Sequence, residues 1–384
     1  MTEDMLAHRP LLCRIPLLPG ESLGSYLTRL AAVNCYDPPS LLTRLCGRRL
    51  GVKSLRRRSL IHPNRAEIFE VLASLGGLTP RELANASIHY FARAPVLARM
   101  SNSTITLSDG APLQLLDPRS RSRYLSPEHC ARFCPDCLRE AAYHRLDWTP
   151  QDIWACLEHR RFLLNQCPEC NRWVSVRDVV QCQCETCGAD LTDAAPGHSL
   201  EPFDIFAQRT IRTWWGLDVP EAASGDWSLL DQPVPTLHHL FGMMQESIEA
   251  EKSASRTVPG RYNVQRQAFK ALADWPTGFC DFLRARLEHQ VRIRSYDSWC
   301  DFSSPVCLRD NSPFAFWICG LPSWPRFGFV QEAVDRFFVE NNIQVESEYA
   351  KTYYIIEADE ELQEIARPIA EMVRKRIAKI VESL

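Results

Sequence analysis

Three features of the sequence predict a mainly α-helical protein carrying a small β module. Apolar residues recur at helical spacing between residues 22 and 98 and again beyond residue 200. Nine of the sixteen cysteines crowd between Cys130 and Cys187. Only Tyr349–Ile356 reads as a convincing strand. These features divide the chain into four parts. Residues 1–98 form an N-terminal helical domain, 99–127 a linker or arm, 128–195 a cysteine-rich module, and 196–384 a mostly helical C-terminal domain.

Pro10, Pro16 and Pro19 keep residues 1–20 irregular. Glu21-Ser22 then opens a helix in which Leu23, Tyr26, Leu27, Leu30 and Ala31 share one face. Asn34 and Asp37-Pro38-Pro39 end it and start a second helix carrying Leu41, Leu42 and Leu45, with Asp37 as N-cap. Two short helices joined by a tight turn have the outline of a helix-turn-helix, an outline also common in all-α cores. A basic run follows: Arg44, Arg48, Arg49, Lys53, Arg56, Arg57, Arg58 and Arg65, with no acid before Glu67. Such a run can meet phosphates, and it is equally what a solvated loop carries. Asn64 is expected to cap a third helix that Gly76-Gly77 ends. Thr79-Pro80-Arg81-Glu82 is a capping box opening a fourth, with Leu83, Ala86 and Tyr90 on its apolar face.

The cysteine-rich module carries the clearest chemistry. It reads Cys134-Pro-Asp-Cys137, eighteen residues, Cys156-Leu-Glu-His159, then seven residues to Cys167-Pro-Glu-Cys170, and thirteen more to Cys184-Glu-Thr-Cys187. A two-residue spacer lets two side chains converge on one ion, and two such pairs complete a tetrahedron of the kind Zn²⁺ takes. The sequence thus predicts two structural zinc ions, one Cys₃His site (Cys134, Cys137, Cys156, His159) and one Cys₄ site (Cys167, Cys170, Cys184, Cys187). His129, Cys130 and Cys182 sit beside these ligands as alternatives, and Cys184 is preferred to Cys182 because it alone has the two-residue spacer to Cys187. Ile153–Leu163, with Cys156 and His159, has a helical period. Trp148, Trp154, Phe162 and Trp173 are expected to pack over the knuckles, because a ribbon this small has little core of its own.

Beyond residue 196 the chain is expected to return to helices, one marked by Phe203, Phe206, Ile211, Trp214 and Trp215, the last spanning Glu360–Ser383. The scattered cysteines (Cys13, Cys35, Cys46, Cys280, Cys300, Cys307, Cys319) are expected to be small buried residues. Net charge is −3, with an acidic stretch between Glu340 and Glu364. Abundant cysteine in metal spacing, without an export signal or an apolar run of membrane length, points to a reducing cytoplasmic compartment. The sequence holds no P-loop, GxGxxG after a strand or HExxH, nor the His-x-Glu of zinc deaminases. Four ligands per site leave no open metal position, so a binding protein rather than an enzyme is expected.

The stretch Pro19-Gly-Glu21-Ser22-Leu23-Gly-Ser-Tyr26-Leu27-x-Arg29-Leu30-Ala31, then Phe133-Cys134-Pro-Asp-Cys137-Leu, then Trp154-x-Cys156-x-x-His159 and Cys167-Pro-Glu-Cys170 resembles the TniQ family of transposition proteins and its TnsD relatives, over roughly residues 9–190. The resemblance implies a non-enzymatic, nucleoid-associated target selector. Such a protein links target DNA, or an RNA-guided CRISPR effector complex, to the transposon's AAA+ ATPase and transposase, in some members as a homodimer. It also implies the two zinc sites above and a helix-turn-helix over Ser22–Cys46. From the residues alone, a zinc-ribbon transcription regulator reading DNA with its N-terminal helices is the competing expectation.

Overall fold

The computed structural model describes residues 10–35, 40–52, 60–97, 103–195, 198–218, 229, 231–251, 258–297, 306–309, 325–341, 343–348 and 351–356. The chain divides into two compact units, Met1–Ala222 with Arg256–Tyr262, and Ala223–Ser255 with Asn263–Leu384. Helices predominate and strands are short, as the sequence predicts. Among the described residues, no helix is long and apolar enough to cross a membrane.

The first unit opens with α1 (Leu23–Val33), α2 (Ser40–Arg49), α3 (Ala66–Gly76) and α4 (Pro80–Ala86). Ser22 caps α1 through its Oγ, which accepts from the Ser25 N–H at 3.3 Å. The apolar face read from the sequence is buried, with Leu23, Tyr26, Leu27 and Leu30 against Leu42, Ile68, Phe69, Leu72 and Leu83. Asp37 and its prolines lie outside the described residues. The capping box of α4 forms as expected, Thr79 and Glu82 bonding reciprocally. Asn64 does not cap α3: the helix starts one residue later, and Arg65 fills the N-cap position without a side-chain bond. Gly77 ends α3 in the left-handed region at φ 72°, donating its N–H to Ala73 O. The fourth helix stops at Ala86, and Ile88–Arg93 continues as a 3₁₀ turn with Tyr90 exposed.

Within the segment read as a linker or arm, β1 (Ser103–Thr106) and β2 (Pro112–Leu115) pair as an antiparallel hairpin, and α5 (Pro118–Tyr124) follows. Leu107, Leu113 and Leu115 bury in the same core as α1–α4. His89 sits between this hairpin and the helices. Its Nδ1 accepts the Leu116 N–H at 2.9 Å, and Nε2 faces Pro63 O at 2.8 Å.

The cysteine-rich module adds α6 (Pro135–Glu140), β3 (Ala155–Cys156), β4 (Arg161–Phe162) and α7 (Val176–Gln181), followed by α8 (Pro202–Trp214). The helical period of Ile153–Leu163 is overridden: β3 and β4 form a tight hairpin there, because Cys156 and His159 must face one point across a turn. Polar groups join this module to α1. The Glu21 carboxylate is buried and accepts from Leu18 N–H (3.1 Å), Ser25 Oγ–H (2.8 Å) and Arg29 Nη1 (2.6 Å). The Ser22 N–H donates to His144 O (2.9 Å), the His144 N–H to Ser25 Oγ (3.1 Å), and the Leu146 N–H to Gly20 O (2.7 Å). Val176 of α7 packs opposite Gly24 of α1.

The second unit holds α9 (Val234–Glu251), most of α10 (Val258–Ala273), α11 (Thr277–Asp297) and α12 (Gly328–Glu340). Phe241, Phe269, Leu272, Phe279, Leu283, Val330 and Phe337 are among its buried apolar residues. Here β5 (Val306–Arg309), β6 (Ile343–Glu348) and β7 (Lys351–Ile356) form an antiparallel sheet in the order β5-β7-β6. The predicted strand is its central member. The predicted helix 360–383 lies outside the described residues. Cys46 and Cys280 are buried as expected, whereas Cys13 and Cys35 are exposed; Cys35 lies past the end of α1 in a left-handed turn.

Gly76 approaches the Tyr26 ring so closely that an added Cβ would overlap the hydroxyl, which is buried and has no hydrogen-bond partner among the described residues. Gly76→Ala is expected to cost about 1–3 kcal/mol in denaturant titration, and adding Tyr26→Phe to recover most of it; equal costs in both backgrounds would refute the contact. Burial pushes the His89 imidazole down to about 4, with the Arg121 charge acting in the same direction. The unfolded chain then binds a proton below about pH 6.5 that the folded chain refuses, so stability present above pH 6.5 is lost as pH falls toward 4. Between pH 5 and 6, His89→Gln should reduce the slope of unfolding free energy by roughly 1.4 kcal/mol per pH unit; an unchanged slope would contradict this.

Candidate metal centres

The eight predicted ligands gather into two groups of four. In each, the Sγ atoms, with His159 contributing a ring nitrogen to the first, all lie within 4.8 Å of one another. The first group joins Cys134 and Cys137 to Cys156 and His159. Cys134 is the N-cap of α6, Pro135 occupies the first helical position, and Cys137 follows in the first turn. A helix start suits a metal knuckle because its N–H groups point at the thiolate and the dipole favours negative charge. The other pair comes from the β3–β4 hairpin. Cys137 Sγ lies 3.6 Å from Cys156 Sγ and 3.3 Å from His159 Nδ1, and Cys134 Sγ lies 3.7 Å from the same nitrogen.

His159 is oriented from behind. Its Nε2 lies 3.0 Å from Glu140 Oε1 at the end of α6, leaving Nδ1 turned into the group. Burial opposes charge on this imidazole, but the bonds to Cys156 and Glu140 outweigh it and raise its pKa. Hydrogen bonds from the Cys137 and Cys156 thiols hold the Cys134 thiol down to about 3, while the bond to Cys134 pushes Cys137 upward.

The second group joins Cys167 and Cys170 to Cys184 and Cys187, with Sγ separations of 3.5 Å for Cys167–Cys187 and 3.7 Å for Cys170–Cys184. Its two knuckles share one backbone pattern. The first cysteine's N–H donates to the carbonyl five residues on (Cys167 to Arg172, Cys184 to Ala189), and the fourth residue's N–H returns to that cysteine's carbonyl. This return places the fourth residue in the left-handed region, Asn171 at φ 57° and Gly188 at φ 75°. Arg160, four residues after Cys156, adopts the same conformation at φ 51°, and Cys156 pairs with Arg161 five residues on. Three of the four knuckles therefore close by one turn, and the fourth continues as α6. Burial resists ionisation of Cys184, but the backbone N–H groups of Cys187 and Thr186 outweigh it and bring the thiol to about 7.

Cys182 stands apart from this group. It caps the C-terminus of α7 at φ 52°, with its Sγ toward Val179 O at 3.7 Å, and burial raises its pKa. The spacer argument for Cys184 agrees with the geometry.

Several supporting residues carry no signal at the sequence level. Glu140 is one, and only its place three residues after Cys137 could have suggested it. Gln208 of α8 is another. Its Oε1 accepts the Trp154 and Ala155 N–H groups at 2.7 and 2.8 Å, and its amide donates to Asp152 O at 3.2 Å, anchoring the strand that carries Cys156. Buried Arg132 donates to the carbonyls of Pro150, Gln151 and Ile153. Trp148 and Trp154 are buried as expected, Trp154 against Phe162 and Tyr262, whereas Trp173 is 39 % exposed.

Of the basic run, Arg44 and Arg48 are exposed one helical turn apart on α2, and Arg65 is exposed before α3. Arg49 is half-buried and donates to Ser74 Oγ of α3, and burial lowers its pKa. Lys53, Arg56, Arg57 and Arg58 lie outside the described residues.

The donor sets fit a soft divalent cation such as zinc: three thiolates with one imidazole, and four thiolates. If Glu140 orients His159, Glu140→Gln should weaken metal affinity at the first group by about 10–100-fold in chelator competition while leaving the second group unchanged; equal affinity in the variant would remove Glu140 from this role.

Residues 12–163 match the TniQ family model. The matched stretch runs from the segment before α1 through the first group of ligands and ends before the second. No curated protein matches the chain.

Proposed function

We propose that this chain, a member of the TniQ family and hence a transposition-associated protein, is a non-catalytic adaptor that selects the target site. It joins target DNA, or an RNA-guided effector complex, to the transposon's AAA+ ATPase and transposase. Cys134, Cys137, Cys156 and His159 hold one structural zinc ion, and Cys167, Cys170, Cys184 and Cys187 hold a second. Four ligands at each leave no open coordination position for chemistry, so the metals shape a surface.

One observation supports this reading above the others. The family match covers the N-terminal helices and the first ligand group together, and the hydrogen bonds of Ser22 and Ser25 to the His144 backbone join these into one unit. A joined helical and metal-bound body suits a protein that must hold partners in fixed relation. The helix pair over Ser22–Cys46 acts as the helix-turn-helix, with Arg44 and Arg48 at its nucleic-acid face. Lys53, Arg56, Arg57 and Arg58 continue the basic run, while Arg49 serves chiefly to tie α2 to α3.

Copurification with a transposon AAA+ ATPase and transposase, and with an RNA-guided effector complex, tests the reading. Retention on at least one is expected, and retention on none would overturn it. In the same preparations, Arg44→Ala with Arg48→Ala should reduce the salt dependence of DNA binding by roughly 0.9 log–log units per lost phosphate contact. An unchanged slope would remove α2 from the nucleic-acid face.

A further inference from the structure

The two ligand groups differ in how they meet solvent. In the first, Cys134, Cys137 and Cys156 are 0, 2 and 4 % exposed, and the fourth ligand is an imidazole that does not form disulfides. In the second, Cys167 and Cys184 are buried, Cys170 is half-buried and Cys187 is exposed. The whole turn Glu185-Thr186-Cys187-Gly188 faces water. Cys187 Sγ also lies 3.5 Å from Cys167 Sγ, so an accessible thiol is paired with a protected one.

We propose that the second group is a thiol-oxidation site, with Cys187 the point of attack and Cys167 the resolving thiol, and that its oxidation releases one metal while the first group stays intact. This rests on the metal reading given above. The oxidant is a peroxide. Cys187 thiolate attacks one peroxide oxygen, forming S–O as O–O breaks and hydroxide leaves. Cys167 thiolate then attacks the resulting sulfenic sulfur, forming S–S as S–O breaks and a second hydroxide leaves. The sulfur pair gives up two electrons and the peroxide takes them. The Sγ atoms must close from 3.5 Å to about 2 Å. The disulfide removes two of four ligands, which a tetrahedral site does not survive.

The consequence reaches α1. Helix α7 lies in the chain between Cys170 and Cys184, and Asp178 bonds it directly to the exposed turn. Asp178 Oδ1 accepts the Glu185 N–H at 2.8 Å, while Oδ2 accepts from Ser175 N–H and Oγ–H, both at 2.7 Å. Val176 of that helix packs against α1 at Gly24. Opening the second group loosens the anchor of α7 and, through it, one support of α1, the first helix of the proposed helix-turn-helix.

The test uses the full chain as purified, with metal counted first and then released by graded hydrogen peroxide into a chromogenic chelator. Peptide mapping under non-reducing conditions follows. Two equivalents per chain are expected at the start, with one released, a Cys167–Cys187 disulfide formed, and Cys134, Cys137 and Cys156 still reduced. Release of both equivalents at one rate, or oxidation of the first group before the second, would overturn the proposal. No metal at the start would overturn the metal reading and this proposal with it. Cys187→His keeps four ligands without an oxidisable thiol at the exposed position, and its release should slow at least tenfold. Release at the wild-type rate from a variant holding two metals would exclude Cys187 as the point of attack. The peptide map of the unaltered protein decides the question should the variant lose its second metal.

Discussion

The buried carboxylate of Glu21 is the interaction on which the first unit depends. A carboxylate removed from water is tolerated only where its oxygens are satisfied, and here a backbone N–H, a serine hydroxyl and an arginine fill that role. Each of those partners comes from a different part of the α1 approach: Leu18 from the chain before it, Ser25 from its first turn and Arg29 from its second. Meeting these demands sets both the start of the helix and the path of the chain leading into it. The adjacent backbone then meets residues 144–146, so the same geometry that starts α1 also seats it on the cysteine-rich module. Loss of Arg29 or Ser25 would leave charge or an acceptor uncompensated in the interior, which is why such networks break at high cost.

The module on the other side of that contact has little apolar substance of its own. Its turns are instead held by repeated backbone logic, in which a residue four positions beyond the leading ligand enters the left-handed region and returns its chain to the start of the knuckle. Glycine makes this turn without strain at position 188, asparagine tolerates it at 171, and Arg160 adopts it where the surrounding hairpin requires it. Gln208 and Arg132 supplement the turns by filling carbonyl and amide positions that a larger hydrophobic core would not have left open. The result is a module in which helices and ligand groups share boundaries.

Much of this was legible in advance, and for identifiable reasons. Two-residue spacers are a local property, so both ligand groups could be read directly, including Cys184 in preference to Cys182. Capping residues are local as well, and Ser22, Thr79 and Gly77 end or start helices where their chemistry says they should. Ile153–Leu163 misleads because its apolar spacing is helical while Cys156 and His159 converge across a hairpin; pairing with the partner strand outranks periodicity over so short a stretch. Polar, proline-marked composition likewise hides a hairpin at 103–115, whose three core leucines are too few to establish a period.

The amino-acid sequence by itself determined the helical class, the starts of α1 and α4 and the eight residues that gather into two groups of four, because each depends on groups only a few positions apart. Tertiary structure alone decided that Glu140 stands behind His159, that Gln208 braces Trp154 and Ala155, that Arg49 bonds to Ser74, and that Cys187 is left facing water beside a buried Cys167. Those facts concern residues brought together from distant parts of the chain, or the side of a turn that happens to meet solvent. Burial and partnership of that kind are set by how whole elements pack, and no spacing rule within one segment encodes them.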